Sequence, residues 1–515
     1  MAFILDLTFS SLLPVALLLL TLFLWFYASS KPQQRLPPSP SKFPVVGNLF
    51  QLALYPHRKL QSLSRKYGSL MLVHFGSKPV VIASSADAAC EIMRTHDLVF
   101  ANRPKTSMSD RLLYGSKDIA ASPYGEYWRQ VRSICVLQLL SHKRVQSFRY
   151  VREEETSLMV EKIRSFLGSS PPLSAINLSD LLMTLTNIND VICRVALERK
   201  YSDREDGSKS MQIMKEFAEL LGTIDTGDFV PWLGWVRRLN DLDDKVEKVV
   251  KQLDEFLEGV IKEHKDRKNG KANTDDIIEG KSSDLVDILL EIQGEKSTGF
   301  TLELDSLKAI ILDMFAAGTD TTHTVMEWAM TELLRHPKIL EKLQTEVRQV
   351  AQGKPEITED DLDKMDYLKA VIKETLRLHT PIPLLVPRES TQHVKLMGYD
   401  IPAGTRVMVN AWAIARDPSL WNQPEEFQPE RFLNSTIDFR GFNFELIPFG
   451  AGRRGCPGTT FAVAVNELAL AKLVHYFDFA LPDGVEPKDL DMSESTGITI
   501  HRKNPLLAVA IPHSG

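Results

Sequence analysis

Near its C-terminus the chain reads PFGAGRRGCPG, Pro448 to Gly458, which sets one thiol, Cys456, among four glycines and two adjacent arginines. Its four cysteines, Cys90, Cys135, Cys193 and Cys456, lie far apart without a CxxC pair, which argues against a disulfide framework or a zinc finger. The following text, GTTFAVAVNELALAKLVHYF, puts Phe461, Ala464, Val465, Leu468 and Ala471 on one helix face, so the thiol stands at a helix start. There the helix dipole, with Arg453 and Arg454, is expected to lower the thiol pKa and favour thiolate. The glycines at 450, 452, 455 and 458 let backbone amides approach the sulfur and donate to it. A thiolate in that setting can be a nucleophile, a redox sensor or a metal ligand. An incidental thiol in a Gly-rich loop is the plainer alternative.

A second candidate is AAGTDTTHTVMEW, Ala316 to Trp328, inside helical text from about Leu304 to His336. Such a helix is roughly 50 Å long at 1.5 Å per residue. Gly318, Thr319, Thr321 and Thr322 are poor helix formers, and a threonine hydroxyl can bond back to the carbonyl one turn earlier. Unfavourable local choices in a long helix point to function, against the alternative of a packed kink. Ala317 and Gly318 precede Thr321 by four and three residues, so they share its face and leave room for a small ligand beside its hydroxyl. Asp320 projects about 100° away. An acid and an alcohol so arranged can pass protons to a ligand.

Two weaker signals carry arginine. Glu374-Thr375-Leu376-Arg377 puts an acid and a base on one helix face, and most such pairs are exposed bridges that contribute under about 1 kcal/mol. WRQVR sets Trp128 and Arg132 one turn apart, with a solvated amphipathic helix as the alternative. From Tyr127 to Arg152 there are six Lys or Arg and no Asp or Glu, a local basic face that is either solvated or a docking surface for an acidic partner.

A mainly helical body must position these groups. Val246, Val249, Val250, Leu253, Phe256, Leu257 and Val260 recur at helical spacing; His264 to Ser283 reads as a polar surface loop, after which helical text resumes with DLVDILLEIQ. Strand-like pieces lie near Leu70 to Ala83 and Val394 to Val409, and no internal repeat is found. The 515 residues are 43% hydrophobic with net charge −6, which describes a globular chain and no general binder of nucleic acid. Length alone suggests two or three domains. At the N-terminus, Leu7 to Ser30 are 24 residues without a charge, enough to cross roughly 30 Å of hydrocarbon as a helix. A cleaved signal peptide is the competing reading, but only Asp6 precedes the run, whereas Lys31, Arg35 and Lys42 follow it and place the body on the cytosolic side. PPSPSKFPVVGN then forms a stiff spacer. The division is an anchor over 1–30, a proline-rich hinge over 31–48 and a body over 49–515.

The spacing F-x-x-G-x-R-x-C-x-G, carried by Phe449, Gly452, Arg454, Cys456 and Gly458, resembles the cysteine loop of the cytochromes P450. AGTDTT, ETLR, FQPERF and WRQVR extend the likeness over nearly the whole chain, the hinge resembles that of microsomal members, and FANRP and DFVPWLGWV resemble the plant 71 family near its 71A group. The resemblance implies one mainly α body with small β-sheets, the cytochrome P450 fold, preceded by an N-terminal transmembrane helix; the multi-domain prior therefore yields. It implies heme b with Cys456 as axial thiolate, whose electron donation favours O–O cleavage. Asp320 and Thr321 would assist proton delivery; Trp128, Arg132, Arg388 and Arg454 would meet the propionates, with Phe449 also at the cofactor. Glu374, Arg377 and Arg431 would form a buried structural network on the proximal side.

By the same resemblance the chain is a monooxygenase of the endoplasmic reticulum membrane, using dioxygen and electrons from NADPH delivered by NADPH-cytochrome P450 reductase. The basic face, with Lys143 and Arg144, is the expected reductase dock. Expected pocket residues are Met108, Leu112, Ile310, Asp313, Ala317, Leu384, Leu385 and Ile498, mainly apolar, which suits a small lipophilic substrate such as a terpenoid, indole alkaloid or phenolic/coumarin. Asp313 either meets a substrate amine or lies exposed on the helix's far side. Thr380, in HTPIPLL, departs from the more usual HPPxPLL and puts the substrate analogy in doubt. A thiolate-heme isomerase or dehydratase working without reductase, and a noncatalytic heme sensor, are the other function classes; neither needs the Asp320-Thr321 pair.

Overall fold

In the computed structural model the described residues are 18–22, 35–52, 54–186, 191–197, 207–223, 225–239, 241–268, 284–294 and 302–513. The expected span from Leu7 to Ser30 lies outside them except for residues 18–22, as does most of the loop after His264. Among the described residues no helix is long and apolar enough to cross a membrane.

Among the described residues nine strands form three small sheets: β1 Leu70–Phe75, β2 Lys78–Ala83, β3 Ala175–Asn177, β4 Arg388–Glu389, β5 Val394–Leu396, β6 Tyr399–Ile401, β7 Arg406–Val409, β8 Phe477–Ala480 and β9 Leu507–Pro512. The largest has the order β1-β2-β7-β4; β1 and β2 form a hairpin, and β2 pairs in parallel with β7 so that Val80 faces Arg406 and Ala83 faces Val409. Their valine-rich text suits a pleated, half-buried surface. β5 and β6 close over Met397 and Gly398, both with positive φ, as a two-residue hairpin loop of this kind requires. The third sheet, β3-β9-β8, is antiparallel and was not anticipated from the sequence.

The site depends on eight helices: α1 Ser107–Leu112, α2 Glu126–Ile134, α3 Arg149–Ser169, α4 Gly207–Leu221, α5 Leu242–Lys268, α6 Leu304–Arg335, α7 Asp366–Leu378 and α8 Thr459–Tyr476. α6 and α8 lie where helical spacing placed them. α6 is buried on almost every side beyond Thr322, and α8 is apolar nearly all round, as befits helices enclosed by others. Together with α3 and α7 they build the main core, with Met330, Leu333, Leu368, Leu376, Leu468 and Leu473 at its centre. A second core joins α5 to the first half of α6 through Val249, Leu253, Leu257, Ile311 and Phe315.

Candidate active site

The cysteine loop enters α8 through a tight turn at Gly452–Arg454. The Cys456 amide donates to the Phe449 carbonyl (2.9 Å) and the Gly455 amide to the Gly452 carbonyl (2.9 Å). Gly452 has φ +68°, and a Cβ there would lie 2.2 Å from the Met93 carbonyl oxygen, so no other residue fits. Asp97 closes the same contact: its carboxylate accepts from the Arg453 amide (3.2 Å) and side chain (3.3 Å), and Arg388 approaches it at 3.5 Å.

Cys456 opens into a cavity of about 280 Å³ rather than to the outer surface. Burial pushes its thiol pKa up; the Gly458 and Thr459 amides, the Arg132 guanidinium and the Thr459 hydroxyl offset this only in part. The expected lowering by Arg453 and Arg454 is therefore corrected. Arg453 is spent on Asp97, while Arg454 turns away to donate to the carbonyls of Ala101 (2.7 Å), Ile119 (3.2 Å) and Ser122 (2.6 Å). A sulfur so buried becomes a thiolate when a metal cation binds it.

Four arginines border the cavity: Arg103, Arg132, Arg388 and Arg454. Arg132 donates to the Gly455 carbonyl (2.5 Å), Arg388 to Ala451 (2.7 Å) and Arg103 to Val386 and Pro387 (both 2.7 Å), so each is aimed by backbone oxygens. Burial, reinforced by Arg388 and Arg132, pushes the Arg454 pKa down to about 9; burial pushes Arg388 down to about 10 despite Asp97. Asp118 and Asp97 oppose this charge at close range. An uncompensated cationic corner beside an apolar space fits a flat macrocycle bearing two carboxylates, with Cys456 as its metal ligand. Arg103 was missed by sequence reasoning: FANRP served only as a mark of likeness, and the burial of this arginine arises only when the loop packs. Trp128 is not among the lining residues; its indole donates to the Ile119 carbonyl (3.0 Å) and its ring carries the Arg454 guanidinium at 4.1 Å. Phe449 does line the cavity.

Another wall comes from α6. Asp313, Ala317, Gly318, Thr321 and Thr322 all border the space, and Ala317 is exposed to it. The Thr321 hydroxyl bonds back to the Ala317 carbonyl (2.7 Å), as its type and position suggested. Asp320 does not line the cavity. Asp313 is half-buried at the cavity wall, off the helix's far side, and accepts the Ile119 amide (2.6 Å); burial and nearby Asp118 push its pKa well up. Leu385 lines the cavity, but Met108, Leu112, Ile310, Leu384 and Ile498 do not. Met108, Leu112 and Ile310 fill the core beside α5, Leu384 packs under the large sheet, and Ile498 abuts Gly222 after α4. The Thr380 hydroxyl is satisfied by the Leu376 carbonyl (2.9 Å), so this departure adds no free polar group to the pocket.

Away from the cavity, Arg377 holds Glu374 through two bonds (2.7 and 2.8 Å), both side chains fully buried, and Arg431 adds a third at 3.0 Å. The basic face proves smaller than its sequence suggested. Arg132 serves the cavity, Arg152 is buried against Glu359, and Arg149 pairs with Asp360 and Glu153, which leaves Arg129 and Lys143 exposed beside half-buried Arg144.

Residues 37–509 match the family model "Cytochrome P450". Norfluorocurarine oxidase of Strychnos sp is 58% identical over 508 residues, covering 98% of each chain. Cytochrome P450 71A4 of Solanum melongena is 58% identical over 97% of this chain and 98% of its own, and (+)-menthofuran synthase of Mentha piperita is 51% identical over 96% and 97%. A zebra fish cytochrome P450 solved with progesterone superposes with TM-score 0.74 at 26% identity, covering 89% of this chain and 100% of that one. The chain thus belongs to the cytochrome P450 monooxygenases, and among them to the plant 71A type.

Proposed function

We propose that this chain is a heme-thiolate monooxygenase that oxidises, in the simplest case hydroxylates, a small lipophilic plant metabolite such as a terpenoid, indole alkaloid or phenolic. One observation carries this reading: the Cys456 sulfur and the Thr321 hydroxyl border one cavity whose remaining wall, away from the arginine corner, is mostly apolar, with Val145, Phe148, Val325, Ile382 and Phe461. Heme held there by Cys456 and the arginines supplies oxygen activation when bound; the chain's own groups hold it, exclude water and move protons. Thr321, beside the small residues Ala317 and Gly318, holds a proton donor at the cavity edge, and Asp320 is the acid next to it. The names of the oxidase and menthofuran synthase relatives favour such substrates.

Electrons are drawn from NADPH through NADPH-cytochrome P450 reductase at the endoplasmic reticulum membrane, with residues 7–30 as anchor and the body cytosolic. Reductase-supplemented microsomes given terpenoids, alkaloids and coumarins should show NADPH consumption that a substrate accelerates and a product heavier by one oxygen. Turnover without reductase would favour the isomerase reading. In the same assay Thr321→Ala should divert electrons to peroxide and cut product per NADPH by about 10- to 100-fold, and unchanged coupling would count against its role.

The reductase dock in this reading carries the cations Arg129, Lys143 and Arg144, with Leu137 exposed on the same stretch of chain. Lys143→Glu with Arg144→Glu should slow electron transfer about tenfold at low salt, with the deficit shrinking as ionic strength rises. Equal rates at low salt would remove this surface from the account.

A further inference from the structure

While Thr321 borders the cavity, the Asp320 carboxylate turns to another partner. His501 Nε2 lies 3.0 Å from Asp320 Oδ1, and the Thr499 hydroxyl also bonds this carboxylate. His501 belongs to the segment before β9 and is fixed in place. Its amide donates to Ser495 Oγ (3.0 Å), and its carbonyl accepts from the Ser495 amide (2.8 Å). On either side of it, Trp328 of α6 donates to the Ile500 carbonyl (3.0 Å) and the Arg502 amide donates to Glu327 (3.2 Å).

One protonation state satisfies every one of these contacts at once. His501 Nδ1 and Thr324 Oγ1 are 2.7 Å apart, and the hydroxyl also lies 2.8 Å from the Asp320 carbonyl. With the hydroxyl's single proton on that carbonyl, which can only accept, Oγ1 accepts from His501 and Nδ1 carries a proton; turned to Nδ1 instead, the hydroxyl would give up its bond to the carbonyl. A neutral imidazole would then face a carboxylate oxygen with a bare Nε2 lone pair. The 3.0 Å contact needs one further proton, shared between Nε2 and Oδ1.

The surrounding charges agree. His501 faces Asp320, Glu327 and His323 on α6, the last with ring centres 5.8 Å apart, and Lys215 on α4, with Arg502 next in the chain. Burial lowers the His501 pKa, but Asp320 and Glu327 outweigh it, and the net shift is upward. Burial raises Asp320, yet His501, Thr499 and His323 together bring it below the usual carboxylate range. The two side chains retain 26% and 25% exposure.

We propose that His501 is the positioning residue and proton source of the Asp320-Thr321 pair. The Nε2–H bond breaks as Oδ1–H forms, the Asp320 carboxylic acid swings its proton toward the Thr321 edge of the cavity, and solvent returns a proton to the imidazole. The proton is consumed as dioxygen is reduced with electrons from NADPH. This relay rests on the reading that Asp320 and Thr321 deliver protons.

The test combines a titration with a coupling assay on the full chain. In ¹⁵N-histidine NMR of the holoenzyme, the resonance lost in His501→Gln should be imidazolium at pH 7 and should titrate at lower pH in Asp320→Asn. His501→Gln keeps an N–H donor but holds no transferable proton; it should lower product per NADPH at least about fivefold and raise peroxide, with substrate affinity unchanged. Wild-type coupling should fall as pH rises through the His501 pKa, whereas the Gln variant should be flat over that range. The wild-type titration and pH profile stand even if the variant folds poorly. A neutral imidazole at pH 7, or a Gln variant with wild-type coupling, overturns the relay. Impaired Asp320→Asn beside intact His501→Gln sinks the relay alone; intact coupling in Asp320→Asn removes the proton-delivery reading and the relay with it.

Discussion

Cys456→Ser is expected to abolish the thiolate-type carbon monoxide band and to reduce product formation below detection. Serine preserves the size and the backbone contacts of the loop, including the bond from residue 456 to the Phe449 carbonyl, so the fold should persist. What is lost is an ionisable sulfur. Burial already raises the thiol pKa, and an alcohol in the same place ionises far less readily, so the ligand that donates charge to the metal disappears. A carbon monoxide difference spectrum with a heme assay on the purified protein separates two results. Retained heme with an altered spectrum shows a changed ligand, whereas lost heme shows that sulfur also holds the cofactor. A variant that kept the thiolate band would exclude Cys456 as the ligand.

Arg377→Ala should be among the most destabilising single changes in the chain, about 3–5 kcal/mol. Truncation would leave the Glu374 carboxylate fully buried with Arg431 as its remaining cation, and would strip donors from the carbonyls of Ala415, Pro424 and Glu426. Those carbonyls belong to the segment after β7, so losing the fork loosens what ties α7 to it. Arg377→Lys should recover little, because a single ammonium cannot match two carboxylate oxygens and several carbonyls at once. Thermal unfolding followed by circular dichroism, with Arg164→Ala as control, tests the claim. Arg164 pairs with Glu161 where the side chains are 48% and 59% exposed, and its loss should cost under about 1 kcal/mol. Equal midpoints for the two variants would refute a structural role for the buried network.

The elements that carry chemistry were legible because their chemistry constrains local sequence. α6 and α8 announce themselves by apolar spacing, and the Gly-rich cysteine loop and the threonine face of α6 break local rules in ways that packing alone does not explain. Harder to read were relations between distant segments. Met108, Leu112 and Ile310 are apolar and buried as expected, but residue type does not distinguish the wall of a cavity from the inside of a core, and these three fill the core. Arg103 and His501 gave no local signal, since each acquires its role from loops that meet only in the folded chain. The basic face was overcounted for the same reason: Arg149 and Arg152 find their acids on the segment at Glu359 and Asp360, far along the chain.

The contact between Gly452 and Met93, tied by Asp97 to Arg453, sets an order of events for synthesis. The segment that seats the sulfur precedes all eight site helices in the chain, whereas the sulfur itself emerges only after α1 to α7 have been made. Such long-range closure is costly until most of the core exists to reward it. Cofactor capture therefore waits on α1 to α7, and a ribosome stalled before the cysteine loop would carry those helices with nowhere to hold iron.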